Sequence, residues 1–188
     1  MNRPSPGQLA LLGVLAAAAV GFGYLISRER PSTPRSVLAA LPATAAQATT
    51  ELLKLSLPGI DGKTYALADW RGKILVVNYW ATWCPPCLDE LPAFSSLQRR
   101  YAAQGVQFVG LSIDEAENVR RLLTRTPVAY PLLLGTMATL QTSAGFGNPS
   151  LGLPFTVIVD RRGKLHSVKL GRIAAADLEN RLQHLLTR

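Results

Sequence analysis

An α/β fold, with a central sheet covered by helices on both faces and opened by a β-hairpin, is what this chain predicts, and three observations carry that expectation. Segments of strand and helix character follow one another in the order βαβαβαββα, the alternation that lays helices onto the faces of a sheet. Residues 74–80 read ILVVNYW, a near-continuous apolar run of the kind found where a strand is buried on both sides. Ahead of it, Leu53, Leu55 and Leu57 alternate with Lys54 and Ser56, and Asp61-Gly62 separates them from Lys63-Thr64-Tyr65-Ala66-Leu67. That is the pattern of two strands joined by a turn.

After the 74–80 strand, residues 85–104 predict a helix. It starts on Pro85 and Pro86, where missing N–H groups cost least, and Pro92 inside it predicts a kink. A strand over 106–113, a helix over 115–125 and a short strand over 130–134 follow. A helix over about 136–144 leads into the loop Gly145-Phe146-Gly147-Asn148-Pro149-Ser150. A strand over 155–160, a turn at Arg161-Arg162-Gly163, a strand over 165–170 and a terminal helix over 174–186 complete the order.

At 188 residues the chain suits one domain of ~140 residues plus an appendage, and a domain of that size buries a core without covalent staples. Hydrophobic residues make up 48% and charged ones 17%, and the apolar excess has a location. After a short flank, 1–8, residues 9–26 read LALLGVLAAAAVGFGYLI without a charge. As a helix this run is about 27 Å long at ~1.5 Å per residue, near the ~30 Å hydrocarbon core of a bilayer. It reads as a transmembrane signal anchor. A cleaved signal peptide is the competing reading; against it, the small-residue site Ala43-Thr44-Ala45 lies well beyond the run and Ser27-Arg28-Glu29-Arg30 directly follows it. Residues 27–50, rich in Ser, Thr, Pro and Ala, read as a flexible linker, which leaves 51–188 as the globular domain. Arg3 before the run against Arg28, Arg30 and Arg35 after it would, on the positive-inside bias alone, put that domain in the cytoplasm.

The net charge is +8, of which residues 51–188 hold sixteen Lys/Arg against eleven Asp/Glu. The basic residues fall in scattered pairs such as Arg99-Arg100, Arg120-Arg121 and Arg161-Arg162, without the interleaved aromatic platform of a nucleic-acid binder. No nucleic-acid partner is expected; a solvated surface near anionic lipid accounts for the charge.

The chain has only two cysteines, in Trp83-Cys84-Pro85-Pro86-Cys87. A CxxC pair opening a helix can close a disulfide within one turn and reopen it by exchange. With no third cysteine, the pair is suited to work on the sulfur of other molecules rather than to staple its own fold. Cys84 precedes proline, which pushes its backbone toward the extended geometry of an N-cap. Its sulfur then faces the positive end of the helix, which lowers a thiol's pKa. Cys84 is the expected nucleophile and Cys87, one turn in and more buried, the expected resolving thiol. Pro86 removes the amide at the second helical position, leaving the Cys87 N–H as the main backbone donor to a Cys84 thiolate. A thiolate so modestly stabilised predicts a reductant rather than a strong oxidant.

Glu90 stands three residues after Cys87, on the same helical face. It is the candidate for taking the Cys87 proton during attack on a mixed disulfide, and its charge would raise both thiol pKa values. The alternative is an acidic residue that simply favours the first turns of a helix. Trp83 is expected at the rim of the site, Trp80 packed around it and Trp70 in the core. His166 and His184 are expected in surface or capping roles. Two cysteines without a neighbouring His or second CxxC cannot complete a tetrahedral zinc site, so no metal or other cofactor is expected; linear Cu(I) binding by the two thiolates is the alternative chemistry.

At WATWCPPC the chain resembles the thioredoxin superfamily. Cys87-Leu88-Asp89-Glu90-Leu91-Pro92-Ala93-Phe94 looks like the CxxExPxF continuation of the membrane-tethered TlpA/ResA-like thiol–disulfide oxidoreductases. The resemblance spans about residues 52–186. It takes in the hairpin, Gly72-Lys73, Val109-Gly110-Leu111-Ser112-Ile113-Asp114, an extra helix–strand segment through Tyr130-Pro131-Leu132-Leu133-Leu134, and Gly152-Leu153-Pro154. It implies a thioredoxin-like fold with a central mixed sheet, an N-terminal hairpin and an inserted helix–strand segment, with Cys84 and Cys87 forming a redox-active disulfide. It also implies a cis Pro154 beside Cys84, with the backbone of Leu153 left free to pair with an extended substrate. Trp83, Leu153 and Pro154 are therefore the expected substrate-binding residues.

Two positions depart from the family pattern. Asn78 stands where thioredoxin itself has a buried aspartate, so a proton relay must use another group, with Glu90 the candidate. Phe155 stands where relatives carry a small polar residue or, in the cytochrome c maturation branch, a glutamate, which leaves the substrate open. The family works outside the cytoplasm on an N-terminal anchor, which outweighs the charge bias and implies a domain in the bacterial periplasm. An oxidising compartment implies a membrane thiol donor to supply electrons. The expected activity is Cys84 attack on a protein disulfide, of an apocytochrome c or a copper-site assembly protein, with resolution by Cys87. The alternatives are a Cu(I)-carrying module using the same thiolates, and exchange in the oxidase or isomerase direction.

Overall fold

The computed structural model describes residues 44–187; the anchor expected at 9–26 and most of the linker lie outside the described residues. Among the described residues no helix is long and apolar enough to cross a membrane. Helix α1 (Ala45–Leu53) opens on Thr44, whose side chain accepts the Gln47 N–H at 3.3 Å while the Gln47 side chain accepts the Thr44 N–H at 3.0 Å, a capping box. Ala48, Thr49 and Leu52 are buried. The linker expected through residue 50 therefore ends earlier. Its Ala/Thr composition resembles a tether, but Ala48 and Leu52, one turn apart, make an apolar stripe that packs on the domain.

Strands β1 (Ser56–Pro58) and β2 (Thr64–Ala66) pair antiparallel through Leu57 and Tyr65. Gly62 in the turn has φ +82°, the left-handed region that glycine enters without a Cβ clash. The Asp61 carboxylate accepts the Lys63 N–H at 3.2 Å and the Tyr65 hydroxyl at 2.7 Å. The hairpin is shorter than expected, because Leu53 closes α1 instead of starting a strand. Trp70, expected in the core, is half-buried and stacks on Tyr65 with ring centroids 5.8 Å apart.

The main sheet contains β3 (Ile74–Trp80), β4 (Val106–Ser112), β5 (Leu132–Leu134), β6 (Phe155–Val159) and β7 (Leu165–Leu170), in the order β5-β4-β3-β6-β7. β3, β4 and β5 run parallel, β6 runs against β3, and β7 against β6, so the sheet is mixed. The helices that accompany it are α2 (Pro85–Leu88), α3 (Leu91–Tyr101), α4 (Ala116–Leu123), α5 (Met137–Gln141) and α6 (Ala175–Leu186). Every residue of β3 is buried. On one face Ile74, Val76 and Trp80 pack with Phe94 of α3 and Leu178 and Leu182 of α6; on the other, Leu75, Val77 and Tyr79 pack with Leu52 of α1 and Leu140 of α5. At Gly110 in β4 a Cβ would fall 2.5 Å from Leu132 and 2.9 Å from the Trp80 indole nitrogen, so only glycine allows that packing.

The helix expected over 85–104 is two helices. Pro92 cannot donate to the carbonyl four residues back, and the chain answers with a break at Asp89-Glu90 rather than a kink. Pro92 then sits in the first turn of α3, where its missing N–H costs nothing. The helix expected over 136–144 likewise divides into α5 and a 3₁₀ turn, Thr142–Phe146.

Strand directions decide what meets what. β3 ends, β6 begins and β7 ends at the same edge of the sheet, with Tyr79 paired to Phe155 and Phe155 to Leu170. The segments that follow Trp80, precede Phe155 and follow Leu170 therefore converge.

Candidate active site

Cys84 is the N-cap of α2, with φ −108° and ψ 96°, the extended geometry expected of a residue before proline. It forms a disulfide with Cys87, with S–S 2.04 Å and Cα–Cα 5.3 Å. Cys84 keeps 6% exposure and Cys87 none, so Cys87 is the more enclosed of the two, as expected. The Cys87 amide is where expectation fails. Instead of serving the Cys84 sulfur it donates to the Cys84 carbonyl at 3.0 Å, closing the first turn. Pro85 and Pro86 have no N–H to offer, so the backbone of this helix start holds no free donor within its first three positions.

The approach to Cys84 is pinned from the end of β4. The Asp114 carboxylate accepts both the Thr82 N–H, at 3.2 Å, and the Thr82 hydroxyl. Burial pushes the Asp114 carboxyl up, but its hydrogen bonds from Asn118, Thr82 and Glu115 outweigh that and hold it below the usual range. It stays ionised and keeps its grip on the loop. Trp83 is 64% exposed at the rim, while Trp80 is fully buried.

The helix break changes the environment of Glu90. Its N–H donates to the Cys87 carbonyl at 3.2 Å, and its side chain turns inward rather than lying on a solvated first turn. Only 1% of it is exposed. Oε1 accepts the Ile173 N–H at 2.5 Å, from the segment after β7, and Oε2 accepts the Asn78 amide at 3.4 Å, from β3. Burial pushes the carboxyl up to about 7, against the downward pull of Ile173, Asn78 and the nearby Arg172 charge. A carboxyl poised near neutrality in a protein interior can take and return a proton.

Leu153-Pro154 is a cis peptide. The Pro154 carbonyl accepts the Gly171 N–H at 2.8 Å, tying the loop to the end of β7, while the N–H and C=O of Leu153 make no hydrogen bond among the described residues. Asn148, to which the sequence pattern assigns no role, holds this loop. Fully buried, it donates to the Ser143 hydroxyl and to the Gly152 carbonyl, each at 3.0 Å, and accepts the Gly152 N–H at 2.9 Å. The signal for it is Asn-Pro in a glycine-flanked turn, where an Asn side chain substitutes for backbone. Phe155 turns away from the cysteines, against Tyr79 on the opposite face.

His166 and His184 meet each other on β7 and α6, with ring centroids 6.2 Å apart. Among the described residues no group of three or more His, Cys, Asp or Glu is arranged to hold a metal ion.

A disulfide at a helix start whose first cysteine is the less enclosed, beside a buried carboxyl held up near neutrality and an unpaired main-chain edge, is the arrangement of a thioredoxin-like thiol–disulfide oxidoreductase. Residues 48–168 match the AhpC/TSA family, and the chain belongs to that family. It is 28% identical over 130 residues to the thiol-disulfide oxidoreductase ResA of Geobacillus thermodenitrificans (strain NG80-2), covering 69% of this chain and 72% of that protein. It is 29% identical over 131 residues to the thioredoxin-like protein YneN of Bacillus subtilis (strain 168), covering 68% and 74%. A thiol:disulfide interchange protein of the thioredoxin family from Chlorobium tepidum TLS superposes with a TM-score of 0.65 at 30% identity, over 70% of this chain and 92% of that one. The chain is a thiol–disulfide oxidoreductase of the ResA/DsbE type, and its substrates carry disulfides.

Proposed function

We propose that this protein is a membrane-anchored periplasmic reductant. The Cys84 thiolate attacks one sulfur of a substrate disulfide, and the other sulfur leaves as a thiolate. Glu90 takes the Cys87 proton, and the Cys87 thiolate attacks the Cys84 sulfur. The second substrate thiolate is released and protonated, and two electrons have passed to the substrate. Trp83 and the free edge of Leu153 beside Pro154 seat the substrate chain as an added strand. The regenerated Cys84–Cys87 disulfide is then reduced by a membrane thiol donor.

The observation that carries the direction is the helix start. Neither proline has an N–H, and the Cys87 N–H is committed to the Cys84 carbonyl, so a Cys84 thiolate gains little from backbone amides. A less stabilised reduced form gives up its electrons more readily. Equilibration with glutathione tests this. The potential is expected nearer to the about −270 mV of thioredoxin than to the about −120 mV of DsbA, and a value at the DsbA end overturns the reading.

The anchor and compartment rest on the apolar run 9–26 and on the resemblance to tethered relatives, and a topology reporter fused after residue 188 tests them. Apocytochrome c and copper-site assembly proteins are the substrates that resemblance suggests. Cys87→Ser, which stalls the mixed disulfide on Cys84, should capture the substrate covalently for identification.

A further inference from the structure

The Glu90 carboxyl has two faces with different needs. Oε1 accepts the Ile173 N–H and is served whether or not the group is protonated. Oε2 needs a donor when the group is ionised and an acceptor when it is protonated. Its neighbour is the Asn78 carboxamide, 1% exposed, whose Nδ2 also donates to the Thr156 hydroxyl at 3.1 Å across the β3–β6 register pair. The Asn78 Oδ1 is buried without a hydrogen-bond partner among the described residues. A buried amide thus presents a donor to Glu90 and keeps an acceptor unused.

We propose that Asn78 is a two-position switch that reads the proton on Glu90. With Glu90 ionised, Nδ2 donates to Oε2, as observed. With Glu90 protonated, the carboxamide turns over and Oδ1 accepts the acid's O–H. The Thr156 hydroxyl accepts from Nδ2 in the first state and donates to Oδ1 in the second by rotating its hydrogen, so no backbone moves. Asn78 is then a positioning residue. It keeps a fully enclosed carboxyl paired in both protonation states, which is what a proton carrier behind a resolving thiol requires. An aliphatic side chain at this position would serve neither state, and an aspartate would compete for the proton. The inference rests on Glu90 exchanging a proton during catalysis.

Other groups face Glu90. Asp89 lies on its own turn, Arg172 on the segment after β7, and the Tyr130 hydroxyl ahead of β5 feels the Glu90 charge; Cys87 is tied to Glu90 through the backbone, its carbonyl accepting the Glu90 N–H. Tyr130 is the competing acceptor, since its buried hydroxyl also has no hydrogen-bond partner among the described residues.

The test reads the Asn78 side-chain amide by nuclear magnetic resonance in the oxidised, isotope-labelled full chain across pH, without substrate. Its resonances should shift in one transition that coincides with the Glu90 carboxyl-carbon midpoint. The transition should vanish in Glu90→Gln and persist in Tyr130→Phe. In Asn78→Leu the Glu90 midpoint should rise by about one pH unit, a tenfold change in proton affinity, because the ionised form loses a charge-assisted donor, a stronger bond than the neutral one the protonated form loses. Asn78 resonances that ignore the Glu90 transition, or a transition lost in Tyr130→Phe, overturn the proposal. If Asn78→Leu fails to fold, the resonances of the unsubstituted chain and of Glu90→Gln still decide. Because the oxidised protein is used, the outcome is independent of the direction in which the disulfide exchanges.

Discussion

Burial holds the Glu90 carboxyl up at about 7, so the folded chain binds that proton more tightly than the unfolded chain, where the group titrates near 4.5. A carboxyl with a raised folded-state pKa contributes stability that is complete below the unfolded value and is lost as pH rises through the folded one. The oxidised protein should therefore lose on the order of 3 kcal/mol between about pH 4.5 and pH 7.5 from this group. Glu90→Gln keeps an acceptor for Ile173 and removes the titration, so its urea midpoints at about pH 5 and pH 8 should lie closer together than those of the unsubstituted chain. Equal pH slopes in the two proteins would remove burial of Glu90 as the cause. Cys84 and Cys87 are legible in the sequence because the chemistry lies within five consecutive residues. The environment of Glu90 is not, because Asn78 and Ile173 reach it from distant segments and no spacing rule joins them.

Elements fail to follow the sequence pattern where a local rule has two outcomes. A proline inside an apolar helical pattern can bend the helix or restart it, and here the restart at Leu91 is what turns Glu90 inward. The loop before β6 shows the same dependence on one side chain. Asn148 satisfies both the N–H and the C=O of Gly152 and so fixes the backbone beside Leu153. Asn148→Ala leaves those groups without partners and should cost about 2–4 kcal/mol. It should also speed hydrogen exchange at Gly152, whose N–H loses its acceptor, more than in β3. Uniform protection across both segments would show that the Gly171–Pro154 bond alone holds the loop. The strands themselves are legible to within a few residues, since the pattern of inward side chains is visible in a single segment and does not depend on a partner.

At the scale of the molecule the site exists because β3, β6 and β7 present their ends at one edge, a consequence of mixed strand direction that the order of elements implies only once the crossovers are known. The βαβαβαββα order places helices on both faces, but the face that α1 covers is invisible to composition, because an Ala/Thr-rich segment following a Ser/Pro-rich one reads as more of the same tether. The packing argues otherwise. Ala48 is 1% exposed and clusters with Leu52 and the β3 residues Leu75 and Val77, so the segment from Thr44 onward belongs to the folded domain. Ala48→Asp separates the two accounts. If residues 27–50 were solvated linker, a charge at position 48 would change nothing measurable. If α1 is part of the core, the same substitution buries a carboxylate without a partner on an apolar sheet face. That should destabilise the domain by about 3 kcal/mol or more and lower its thermal midpoint. The exposed Thr50 on the same helix supplies the control: Thr50→Asp adds the same charge in solvent and should leave stability within about 0.5 kcal/mol of the unsubstituted chain. The contrast between positions 48 and 50 on one short helix is the signature of a packed face, and equal effects at both would return the segment to the tether.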